Sequence, residues 1–312
     1  NYGYPTGTQH GNTYKYTDTS WKDKLTKVNG SNISYDANGN PLSYRDGMSF
    51  EWENGRILKN INTSDKAIQM SYDSNGMRTQ KTVDGVKTNY YYDSNKNLIA
   101  LVKGNDTLLF YYDSDGSATS FSYNGTMYFY VKNLQGDVIR IIDLAGTEVA
   151  SYVYDAWGNI KDTKGEPTIR EINPIRYRGY VYDTETGLYY LQSRYYDPLT
   201  GRFLNADVYD DTQSGTPLST NMFAYCENNV VMNMDNKGYS IGISSGWVSF
   251  GIDLIIDVFA APVALAYHAI KIAVKTYLKK YGVKKVAKYI IKKIISKCKK
   301  ILIKFTRLLN KL

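Results

Sequence analysis

In the first half of the chain, short runs alternate apolar or aromatic with polar residues, as in Lys87-Thr-Asn-Tyr-Tyr-Tyr92 and Leu108-Leu-Phe-Tyr-Tyr112. A period of two puts one set of side chains on each face of a strand. Between the runs stand turn signals of the form aromatic-Asp-x-x-Gly. They are Tyr35-Asp-Ala-Asn-Gly39, a degenerate Phe50-Glu-Trp-Glu-Asn-Gly55, Tyr72-Asp-Ser-Asn-Gly76, Tyr92-Asp-Ser-Asn-Lys96, Tyr112-Asp-Ser-Asp-Gly116 and Tyr154-Asp-Ala-Trp-Gly158. Tyr72, Tyr92 and Tyr112 are spaced 20 residues apart. Asn, Asp and Gly tolerate the left-handed backbone of tight hairpin turns. Each unit is too small to bury a core alone, so the pattern predicts stacked hairpins in one long antiparallel sheet that curls as its twist accumulates. The Tyr before each turn is expected to stack on that of the next unit, its hydroxyl reaching water or a turn backbone.

Strands are predicted at Phe121–Tyr123, Met127–Lys132, Val138–Asp143 and Glu148–Tyr154, with Gly125, Gly136 and Gly146 between them. The polar stretch Lys161–Pro174 reads as a loop. Tyr177, Tyr180 and Tyr182 lead into a turn from Asp183 to Gly187, and Tyr189, Tyr190 and Leu191 return from it. Asp197-Pro-Leu-Thr-Gly201 is a second turn, and Asp207–Thr220 reads as a loop.

The period changes after residue 240. Ile241–Ile270 is largely apolar and long enough to span a bilayer, but Asp253, Asp257 and Pro262 make it a poor spanner. It is expected to form a broken hydrophobic hairpin or a conditional inserter. From Ala269 to Leu312 apolar residues recur at helical spacing. Lys271, Lys275, Lys279, Lys280, Lys284, Lys285, Lys288, Lys292, Lys293, Lys297, Lys299, Lys300 and Lys304 fill the gaps. An apolar stripe opposite a wholly cationic face gains nothing from opposite-charge pairs. It fits an anionic lipid surface, or else nucleic acid or an acidic partner, or the solvated face of a helix bundle.

Charge sharpens this division. The whole chain carries +8. Residues 240–312 hold 15 Lys and Arg against two Asp, a net +13, and residues 1–239 hold 23 basic against 28 acidic side chains, a net −5. Tyr is abundant, 31 of 312 residues, as befits half-buried strands. The two cysteines, Cys226 and Cys298, are too few and too far apart for a disulfide framework. The tail has no Glu, two Asp and one His, His268, too few groups for a metal-dependent or a His-based nuclease, so nuclease chemistry is disfavoured; no metal or cofactor is expected. The chain opens in mid-pattern at Asn1, as expected of a piece of a longer protein.

One stretch is specific in its wording. Gly179-Tyr-Val-Tyr-Asp-Thr-Glu-Thr-Gly-Leu-Tyr-Tyr-Leu-Gln-Ser-Arg-Tyr-Tyr-Asp-Pro-Leu-Thr-Gly-Arg-Phe203 closely resembles the core signature of the RHS (YD-repeat) family. The segment Asn221–Gly238 resembles the one that closes that core, with Val230 and Asn236 where the family has Pro. The resemblance implies a mainly β protein, a YD-repeat shell over 1–165 and an RHS core over 166–239, followed by a variable effector segment over 240–312, which resembles no family and which its helical spacing makes a small all-α domain. It implies that the shell encloses the chain's own C-terminal segment, usually a toxin, with an immunity protein as partner. It also implies secretion or attachment to the cell surface or cell wall, and a role in competition between bacteria. A structural cell-surface repeat protein is a further alternative.

The same resemblance implies an aspartyl autoprotease that cuts just after the second of two Asp-Pro-x-Gly turns. The matching residues are Asp207 and Asp235, although neither is followed by Pro and their spacing is longer than the family's. Two carboxylates brought together can divide the roles of acid and base. The cut is expected after Gly238, around Tyr239 and Ser240. Asp197 is a third candidate, better suited to a turn. With this expectation the tail is read as membrane-disrupting at the target cell, with nucleic acid as the alternative target.

Overall fold

Hairpin turns of two kinds build most of the molecule. The computed structural model describes residues 7–9, 11–207, 221–231, 233–235, 238 and 241–243. Except for Ile241–Ile243, the expected helical tail and all thirteen of its named lysines lie outside the described residues. Fourteen antiparallel strands, from Ser34–Tyr35 to Ile160–Gly165, pair in the order in which they occur in the chain. At one kind of turn two residues join neighbouring strands, as at Asn124-Gly125, where both φ angles are positive (48° and 89°). That mirror-image turn matches the right-handed twist of the strands it joins.

The other kind is the Asp-x-x-Gly unit. In the one at Asp73, the Gly76 N–H donates to the Asp73 carbonyl at 3.0 Å. The Asp73 carboxylate accepts from the N–H groups of Asn75 and Met77 at 2.8 and 2.9 Å. Asp36, Asp93, Asp113, Asp143 and Asp155 do the same. The repeated Asp is therefore a backbone fastener. Next to several of these turns the register slips, between Tyr91 and Tyr92, Tyr111 and Tyr112, and Val153 and Tyr154. Such bulges sharpen the local twist.

Several sequence expectations need correction. Tyr72, Tyr92 and Tyr112 share no ring contact among the described residues. Their hydroxyls reach back along the chain instead, to the carbonyls of Leu58, Arg78 and Leu98 at 2.8, 3.0 and 2.8 Å. The degenerate unit ending at Gly55 is a three-residue loop between Glu53 and Ile57, not an Asp-x-x-Gly turn. Asn133-Leu-Gln-Gly136 and Asp143-Leu-Ala-Gly146 are full units that lack the preceding aromatic residue.

The stretch 161–174 is not a loop. Ile160–Gly165 is the edge strand of the sheet, polar because it is largely exposed. Pro167 then starts the helix Pro167–Ile172, where its missing N–H costs nothing. Tyr177 does not lie in a strand: residues Tyr177–Gly179 form a 3₁₀ turn through Arg178 at φ 55°. The strand Ile241–Ile243 pairs with Asn233–Asp235, so the residues assigned to the start of the helical tail continue as strand.

A smaller sheet, Val181–Asp183, Leu188–Tyr190, Tyr195–Asp197 and Arg202–Phe203, packs beneath the large one. Leu188, Tyr190, Tyr195 and Leu204 join Phe50, Leu58, Ile61, Ile68 and Met70 in one core. Tyr177, Tyr180, Tyr189, Tyr196 and Tyr225 form another. Buried ion pairs tie the two layers. Arg45 grips Asp197 at 2.8 and 2.9 Å, and Arg78 grips Asp183 at 2.5 and 3.1 Å. Lys81 bridges Asp183 and Glu185 at 2.8 and 2.7 Å.

Candidate active site

Three separate stretches of chain converge on Arg194. It leaves a tight turn in which the Ser193 N–H donates to the Leu191 carbonyl at 2.8 Å and the Leu191 N–H to the Arg194 carbonyl at 2.9 Å. Its guanidinium lies 3.6 Å from the centre of the Phe203 ring, which covers one face. Its edge is left for hydrogen bonds.

Asp207 and Asp235, the two carboxylates singled out in the sequence, meet on this edge. Arg194 Nη2 is 2.7 Å from Asp207 Oδ2 and 3.6 Å from Asp235 Oδ2. Asp207 is placed by its own N–H, which donates to the Met222 carbonyl at 2.8 Å. That carbonyl also accepts from Arg194 Nη1 at 3.3 Å. Asp235 ends the strand Asn233–Asp235, and its carbonyl accepts from the Tyr180 hydroxyl at 2.5 Å. Tyr180 in turn shares a hydrogen bond of 2.9 Å with Tyr225.

The turn after Asp235 is held by the same groups. The Gly238 N–H donates to Asp235 Oδ1 at 2.8 Å, and the Gly238 carbonyl accepts from Arg194 Nε at 2.6 Å. Gly238 has φ +76°, and a Cβ there would come within 2.4 Å of Ser193 Oγ and 3.1 Å of the Leu191 carbonyl. Only glycine fits that seat, which keeps an Asp-x-x-Gly turn although Pro is missing.

The two carboxylates sit in different surroundings. Asp207 is in direct contact with the cation and its side chain is 14% exposed; that of Asp235 is 2% exposed and bonds the turn it closes. Unequal environments are what let one carboxyl serve as acid and its neighbour as base. A carbonyl held by a guanidinium N–H is polarised toward attack. Among the described residues no three His, Cys, Asp or Glu side chains gather as metal ligands.

Asp197 belongs elsewhere. Its carboxylate is buried and accepts from Arg45, the Tyr44 hydroxyl at 3.0 Å and the Leu199 N–H at 3.0 Å, so it holds its turn and anchors the layer above. Arg194, Gly238 and Tyr180 were not picked out as site residues from sequence. Arg194 lies inside the quoted family signature, but a lone Arg in a tyrosine-rich stretch carries no local sign of its partners.

A meandering antiparallel sheet of 20-residue hairpin repeats, packed over a tyrosine-rich plug, defines a YD-repeat shell protein. The teneurin YD-shell family matches residues 6–231, and the chain belongs to that family. It is 40% identical over 237 residues to the tRNA nuclease WapA of Bacillus subtilis (strain 168), covering 73% of this chain and 10% of that protein. It is 25% identical over 260 residues to human teneurin-4, covering 78% of this chain and 9% of that one. Among solved structures, the crystal structure of TcdB2-TccC3-TEV matches with a TM-score of 0.55 at 20% identity, over 73% of this chain and 13% of that one. The chain thus spans about a tenth of the length of these curated relatives.

Proposed function

We propose that this chain is part of a polymorphic toxin, in which the shell and core hold an effector segment and cut it free. The observation that carries the reading is the meeting of Asp207 and Asp235 on Arg194, beside the Gly238 carbonyl that the same guanidinium holds. One carboxylate activates water, the other protonates the leaving nitrogen, and the bond beyond Gly238 opens. Secretion or cell-surface display and an immunity protein belong to the same reading.

The freed segment is proposed to act on nucleic acid, with RNA as the first choice. Support comes from the curated Bacillus relatives, which are named as tRNA nucleases, and from the +13 of residues 240–312. A lysine-rich segment neutralises phosphates. With few metal ligands in the tail, the chemistry that fits is one in which the RNA's own 2′-hydroxyl attacks, since positioned acid and base groups then suffice. Membrane disruption is the second reading, carried by the helical spacing of apolar and lysine residues after Ala269.

The test is to follow the purified full chain for splitting and to offer it tRNA and dye-loaded anionic vesicles in parallel. Splitting near residue 238 that Asp207→Asn and Asp235→Asn abolish, with tRNA fragments and intact vesicles, is the expected result. Vesicle leakage with intact tRNA would replace the nucleic-acid target with a lipid one.

A further inference from the structure

The Asp-x-x-Gly turn occurs in two settings. In the repeats, a Cβ added at Gly76, Gly136 or Gly146 would meet nothing within 4 Å. Positive φ alone, +75° at Gly76, calls for glycine there. At Gly238 φ is nearly the same, +76°, but the space is not. A Cβ there would overlap Ser193 Oγ and come within 3.1 Å of the Leu191 carbonyl oxygen and 3.3 Å of the Arg194 amide nitrogen. At Gly39 and Gly158 the nearest neighbour is instead an aromatic ring, of Trp21 and of Tyr177.

The three atoms around Gly238 belong to the tight turn from Leu191 to Arg194. The turn's own hydrogen bonds, 2.8 and 2.9 Å long, fix its backbone. Of the three, Ser193 Oγ is the one side-chain atom. The same turn carries Arg194, whose Nε holds the Gly238 carbonyl at 2.6 Å. A larger residue pushed out of this seat would take its carbonyl off the guanidinium. A misplacement of about 1 Å can cost about a hundredfold in rate.

We propose that Ser193 is a specificity-determining residue of the self-cleaving site. Its hydroxyl closes the seat of the residue before the cut, so the site accepts a peptide bond only after glycine. The inference rests on the self-cleavage reading. Two features of the turn are then read together: the Asp235 carboxylate through the Gly238 N–H it accepts, and the missing side chain of residue 238 through Ser193.

The experiment is a double-mutant cycle in the full chain, Gly238→Ala and Ser193→Ala singly and together, reading the rate of splitting. Gly76→Ala, at a matched φ without the wall, serves as the control for backbone cost. Gly238→Ala should slow splitting about a hundredfold. In the Ser193→Ala background the same change should cost only about tenfold, the share of the positive φ. Gly76→Ala should lower Tm and leave splitting unchanged. Recovery of this kind marks the seat and not general damage, because the second substitution only removes an atom. Gly238→Ala equally harmful with and without the Ser193 hydroxyl, or harmless in both, would overturn the assignment. A wild-type chain that stays whole would overturn the self-cleavage reading itself, and this inference with it.

Discussion

Single residues tie the repeat sheet to the plug through buried charge. Asp183 is the clearest case. Burial opposes its charged form, yet Arg78 and Lys81 together hold its carboxyl below the ordinary value. Asp183→Asn leaves the Arg78 cation buried with a neutral partner, and breaking such a pair costs about 3–5 kcal/mol. Because the folded-state value is lowered, the stabilisation is complete above the unfolded value of 3.8 and is lost as pH falls through the lower folded value. Urea unfolding should therefore show a wide gap between wild type and variant at pH 7, closing in strong acid. Equal midpoints at pH 7 would mean that the pair adds nothing. Cys226 shows a passive kind of burial: the loss of solvent pushes its thiol up to about 12, which leaves it unreactive in the folded protein.

At the scale of the element, the unit is a pair of strands with one fastened turn. Each Asp-x-x-Gly turn is closed by one carboxylate that accepts two backbone N–H groups, so removing it loosens a hairpin without opening the core. Asp113→Ala should lower stability by about 1–2 kcal/mol, less than the core ion pair, with the 20-residue register intact. Chemical denaturation checks the size; a loss as large as that of Asp183→Asn would show that the turn does more than fasten. The aromatic before the Asp proves dispensable, since Asn133 and Asp143 build the same turn after Lys132 and Ile142. The edge strand Ile160–Gly165 shows the converse. Its Lys and Asp side chains suit an exposed edge, and those same residues made it read as a loop.

Across the whole molecule, tyrosines replace much of the aliphatic core. Burial raises the phenol values of Tyr44, Tyr130, Tyr180, Tyr189, Tyr190, Tyr196 and Tyr225 well above 10. A raised folded value means that their contribution is complete below pH 10 and is lost as pH rises above it, because the unfolded chain ionises first. The tyrosinate absorbance of these buried residues should appear only well above pH 10, together with loss of structure. A gradual titration centred near pH 10 with the fold intact would contradict this burial.

The sequence by itself determined most of the repeat's strands, its Asp-x-x-Gly turns and their period, because alternation and the Asp, Asn and Gly positions are local and act within a few residues. It also named Asp207 and Asp235 as candidates, through the wording of the core and its closing segment. Tertiary structure alone decided what joins them. Arg194 meets Asp207, Asp235 and Gly238 only because the closing segment folds back onto the small sheet, and those contacts span up to 44 residues of sequence. The same holds for Arg78 with Asp183, 105 residues apart, and for Tyr72 with Tyr195, 123 apart. Charges and hydroxyls this distant leave no periodic trace, since nothing in local backbone geometry depends on them. Asn205 is the extreme case: only the packed structure reveals that a side chain ordinary in sequence is buried, with neither of its polar atoms paired among the described residues.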